Sequence, residues 1–151
     1  MKKLFVILVF FSFNTYLIFA QNKNEFSKLL YEISIENSID IITSNEAKKI
    51  ISHTEKSLPI LADLFMDTTK TNIKSDCLKR FLTRGEIAII IADRIERMPY
   101  FKLTGMQNCT LEFCKNNPNV IEYYLNFVEK DKAKSFSEKY KIWLRSAERK
   151  S

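Results

Sequence analysis

Glycine occurs only twice in the 151 residues, as Gly85 and Gly105, and proline three times, as Pro59, Pro99 and Pro118. Phosphate-cradling loops, strand-to-helix nucleophile elbows and tight hairpins need glycine where φ turns positive or a ligand approaches the backbone. A chain with two isolated glycines is expected to avoid these architectures. Its apolar pattern agrees with that expectation.

From Asn24 to Asn37, Phe26, Leu29, Leu30 and Ile33 follow the i, i+3, i+4, i+7 spacing of an amphipathic helix. Ser44 or Asn45 can cap a second helix carrying Ala47, Ile50 and Ile51. Ser57-Leu-Pro59 reads as a third cap, with proline in the first turn. Asp67 to Asn72 reads as a polar loop. In Leu82 to Pro99, Thr83 and Glu86 have capping-box spacing, and Ile87 to Ala92 are apolar on every side. Such a helix belongs at the centre of a fold. Asn117-Pro118 opens a further helical pattern through Val128, and Ala133, Phe136, Tyr140, Trp143 and Leu144 mark a last one. The aromatic stripe formed with Tyr124 reads as core. The expected fold is all-α, a compact bundle of about six or seven short helices in a single domain from residue 21 to 151.

Residues 1 to 20 stand apart from that domain. Lys2 and Lys3 precede an uncharged run from Leu4 to Phe19, and Ala20 meets the polar Gln21. This is the pattern of a cleaved secretory signal peptide of bacterial style, so the product is expected in the periplasm or secreted. Membrane contact is expected only through this segment, if uncleaved. Without it, 22 basic and 18 acidic side chains remain, a formal net charge of +4. The bases are scattered without interleaved aromatics, so nucleic acid is not an expected partner.

In an exported chain, Cys77, Cys109 and Cys114 allow one disulfide and one thiol. Cys109 and Cys114 can join each other only across a turn, since five residues of continuous helix already advance about 7.5 Å. Cys77, read on one helical face with Leu78, Phe81 and Leu82, is the expected partner of Cys109 or Cys114. No metal site is expected, because His53 and the cysteines lack paired ligand spacing. No cofactor motif is present. Asn108-Cys-Thr110 fits an N-glycosylation pattern that a bacterial product would leave unused.

No catalytic constellation stands out either. Glu86 and Asp93 sit at i and i+7, with a cap and Arg97 respectively as simpler explanations for them. A small hydrolase using His53, Glu86 or Asp93 is the enzymatic alternative, and a helical carrier of an apolar ligand is another. The first expectation is a protein-binding module, immunity- or inhibitor-like. Its candidate contact residues are Tyr100, Phe101, Leu103, Met106 and Gln107, in the connection from Met98 to Gln107 that Pro99 and Thr104-Gly105 mark as irregular.

Overall fold

The computed structural model describes residues 23–106, 117–128 and 132–150. Residues 1 to 20, expected from the sequence to be a signal segment, lie outside the described residues, as do Gln107, Cys109 and Cys114. Helix α1, residues 23–32, sinks Phe26, Leu29 and Leu30 into the core, with Ile33 buried just beyond its end. Asn37 caps a 3-10 turn, Ser38–Thr43, by accepting the Ile39 amide. α2 (Asn45–Ser52) starts at Ser44, whose hydroxyl accepts the Ala47 amide at 3.2 Å. A second 3-10 turn, Thr54–Ser57, leads into α3 (Leu58–Leu64), with Pro59 in its first turn.

The sequence then makes a β-hairpin, and the all-α expectation is corrected to a mostly helical fold with one two-stranded sheet. β1 (Lys70–Ser75) and β2 (Arg80–Thr83) pair antiparallel, with Lys74 opposite Phe81 and Ser75 opposite Arg80. The register shifts between Lys70 and Lys74. There Thr71 Oγ1 donates to the Leu82 carbonyl at 2.8 Å and accepts the Ile73 amide. No glycine closes the turn. Lys79 takes the left-handed conformation instead, at φ 58°. The stretch Ser75 to Leu82 is therefore turn and strand, and strand alternation separates neighbours that a helix would have grouped. Leu82 is fully buried and Phe81 is 56% exposed.

Thr83 ends β2 and caps α4 (Arg84–Ile95). Its hydroxyl accepts the Glu86 amide, and Glu86 accepts the Thr83 amide at 2.8 Å. Every residue from Gly85 to Ala92 is buried, so α4 is the axis of the core, touched by α2, α3 and the first 3-10 turn. Gly85 allows this packing, because a Cβ there would lie 2.2 Å from the Phe65 carbonyl oxygen. α4 stops four residues before Pro99. Asp93 accepts the Met98 amide at 2.8 Å and turns the chain.

α5 (Tyr100–Thr104), α6 (Glu122–Leu125) and α7 (Ala133–Arg145) are the remaining α-helices of the described residues. Asn117 does not cap α6 as its sequence position suggests. Its side chain accepts the Asn119 amide in a local turn, and the helix begins only at Glu122. α7 packs on α3 and α5. The Phe65 ring lies 5.8 Å from Phe136 and 5.4 Å from Tyr140, and Ser137 donates to the Ala62 carbonyl. Among the described residues, the Tyr140 hydroxyl is the buried side-chain polar group without a hydrogen-bond partner. A final 3-10 turn, Ala147–Lys150, is clasped to distant parts of the chain. Arg149 bonds both Glu96 oxygens and Glu55, and Lys102 pairs with Glu148. No helix of the described residues is long and apolar enough to cross a membrane.

Candidate functional site

The connection after α4 is ordered into α5, and its residues divide between core and surface. Leu103 is 3% exposed and Met106 packs against the core from a half-buried position. Tyr100 stacks on Tyr124 with ring centres 4.6 Å apart, donates its hydroxyl to Asp93 at 2.9 Å, and carries the Arg97 guanidinium over its face. Burial is the main force holding the Asp93 carboxyl above its ordinary value, against the lowering effect of the Met98 and Tyr100 bonds. Burial and the Asp93 charge likewise push the Tyr100 hydroxyl up. Gly105 closes the helix at φ 73°, donating its amide to the Phe101 carbonyl at 2.7 Å. Phe101 is left 61% exposed on this anchored turn.

The residues named for a hydrolytic alternative are not brought together. His53 is an exposed residue at the end of α2, its ring edge-on to Phe26 at 5.2 Å. Glu86 is held by the cap and by a two-pronged bond from Arg80 at 2.9 and 2.6 Å. Asp93 faces α5. The cavities that Glu86 and Asp93 line are separate, and His53 lines neither. Among the described residues, no group of three or more His, Cys, Asp or Glu side chains is placed to hold a metal ion.

Two features were not read from the sequence. The first is a groove of about 670 Å³ between the hairpin and the helices. Lys70, Lys74, Lys79, Arg80 and Phe81 form its wall, while Phe65, Ile89, Leu125, Val128 and Ala133 lie at its base. The second is Glu122, which is fully buried. Its carboxylate accepts from the Ser38 and Ser75 hydroxyls and from the side-chain amides of Asn117 and Asn119. Four neutral donors from the first 3-10 turn, β1 and the approach to α6 thus converge on one carboxylate, which fixes the hairpin base against the helices.

No protein-family model, curated protein or solved structure matches this chain.

The functional reading consequently rests on surface chemistry. Lys70, Lys74, Lys79 and Phe81 are exposed on the hairpin, and the exposed aromatic of α5 is Phe101. A sequence signal for the hairpin groove exists in retrospect. Lys70, Lys74 and Lys79 flank the short β-branched pattern of Thr71 and Ile73, but nothing in that run marks a turn.

Proposed function

We propose that the chain is an exported protein-binding module, with residues 1 to 20 a cleaved signal peptide and the mature domain acting in the periplasm or outside the cell. An immunity- or inhibitor-like role suits such a domain. Phe101 carries the reading: a large aromatic side chain, 61% exposed, on a turn held from beneath by Leu103, the Tyr100–Tyr124 stack and the Gly105 cap. An aromatic presented on a rigid support loses little conformational freedom on binding, which is what makes such residues dominate interfaces. The hydrolase alternative has no convergent pair among the described residues. The base of the groove is already buried by its own neighbours, which gives an apolar cargo little surface to cover.

The proposal includes a disulfide from Cys77 to Cys109 or Cys114. Asn117 donates to the Cys77 sulfur at 3.0 Å, and Asn117 follows Cys114 by three residues, a span of about 10 Å at most. Intact mass of protein from its native compartment, alkylated before and after reduction, tests both processing and bridge: the expected chain starts at Gln21 with one thiol labelled before reduction. For function, the immobilised mature domain should capture one polypeptide at equal stoichiometry. Phe101→Ala should weaken that capture at least tenfold, on the order of a hot-spot loss. Capture unaffected by this substitution would remove α5 from the contact.

A further inference from the structure

We infer that the groove beside the β-hairpin binds an extended, acidic segment of a polypeptide partner, with an apolar side chain of that segment set against Phe81. This rests on the protein-binding reading above and adds a second surface to it. Of the charged residues lining the groove, Lys70, Lys74, Lys79 and Arg80 are cationic and Asp67 and Glu86 anionic, a formal excess of +2. Both carboxylates are already engaged. Asp67 faces Arg84 and accepts the Thr69 amide, and Glu86 is bound by Arg80 and the Thr83 amide. Lys74 meets Asp76 only in an exposed pair at 3.5 Å, which water and salt screen. No carboxylate of the described residues lies within ion-pair distance of Lys70 or Lys79. The described lining of the groove is therefore net cationic.

The backbone supplies a second, independent observation. Lys79 is held at φ 58°, a conformation that favours glycine or asparagine and that a long side chain adopts at a cost. It lines the groove all the same, with Phe81 two residues on. Phe81 lies opposite Lys74 in the sheet register, so the aromatic ring stands among cations.

Shape selects the class of occupant. Phe65, Ile89, Leu125, Val128 and Ala133 at the base are all buried already, so an apolar small molecule gains little there. The surface is concave where a membrane is flat. An extended chain can lay carboxylates along the lysine wall and one apolar group on Phe81, and charge complementarity then sets its orientation and speeds its capture.

The test uses the mature chain and fluorescein-labelled short peptides: glutamates around a central phenylalanine, glutamates alone, and lysines around phenylalanine. By fluorescence polarisation, the glutamate–phenylalanine peptide should bind, weaken steeply with added salt, and lose about tenfold or more in affinity to the K70E/K74E/K79E variant. The all-glutamate peptide and Phe81→Ala should each lose severalfold, and the lysine peptide should not bind. All four substituted residues are exposed in the fold, and an unchanged Tm verifies that each variant is folded. Phe101→Ala should leave peptide binding intact, which separates a failure of this groove from a failure of the α5 surface. Absence of binding, binding that the charge-reversed variant retains, or tighter binding to phosphatidylglycerol vesicles or single-stranded oligothymidine would overturn the inference.

Discussion

Helix α4 and the hairpin before it are consecutive in the chain, share the Arg80–Glu86 pair, and are built on opposite principles. In α4, Ile87 to Ala92 are buried on all sides, and Gly85 permits contact with the end of α3 that one added carbon would prevent. In the hairpin, one face buries Ile73, Ser75 and Leu82, while Lys70, Lys74, Lys79 and Phe81 stand in water above a strained turn. The helix is held by packing that tolerates no change of volume. The hairpin is held by hydrogen bonds at its base, which leaves its outer face open to variation without loss of the fold. Packing is thereby concentrated in α4, and the recognition proposed above would use an adjacent but separable piece of structure.

Substitutions can break or sharpen this contrast, and the largest effect belongs to α4. Gly85→Ala should cost more than about 3 kcal/mol in urea unfolding, because its Cβ meets backbone and not a movable side chain. Glu122→Ala should cost about 3 kcal/mol, since it strands the buried hydroxyl donors of Ser38 and Ser75 and releases the hairpin base. A loss as small as that of a surface change would show that the hairpin is held by something other than this carboxylate. Thr83→Ala removes the cap hydroxyl where the two pieces join, and should cost about 1 kcal/mol.

The next substitution should reverse the sign. Lys79→Gly relieves the left-handed turn and should raise stability by about 1 kcal/mol while weakening the acidic-peptide binding proposed above. Asp93→Asn should have the smallest effect near neutral pH, because an amide can still accept from Met98 and donate to Tyr100. A carboxyl whose folded pKa lies above its unfolded value opposes folding when ionised. Its unfavourable contribution is present above the folded pKa and fades as pH falls toward the unfolded value, so stability from this group rises on acidification. Asp93→Asn should remove that part of the rise when Tm is compared between about pH 7 and about pH 4.

What could be read from the chain follows the same division. The Thr83–Glu86 box, the Ser44 cap, Pro59 in a first turn and the apolar stripes of α1 and α7 are local signals, and each appears in the fold as its spacing implies. The hairpin was illegible because its turn is made by Lys79, which nothing local marks as left-handed, and because the Thr71 hydroxyl replaces part of the ladder. Phe81 was grouped with Leu82 on a helical face that does not form. Glu122 gave no sign of burial, since its donors lie up to 84 residues away. In the α5 segment, local sequence marked Leu103 and Phe101 alike as apolar. Only packing distinguished them, burying Leu103 and exposing Phe101.

The clasp made by Arg149 bears on the order in which the molecule is completed. It ties Glu55 and Glu96 across sequence separations of 94 and 53 residues. A chain still emerging from the ribosome cannot make this clasp until Arg149 has been added, and contacts this remote delay closure in any case. Closure of the fold around Glu55, Glu96 and Arg149 is therefore a late event, a delay that would suit a chain exported before it folds, as proposed above.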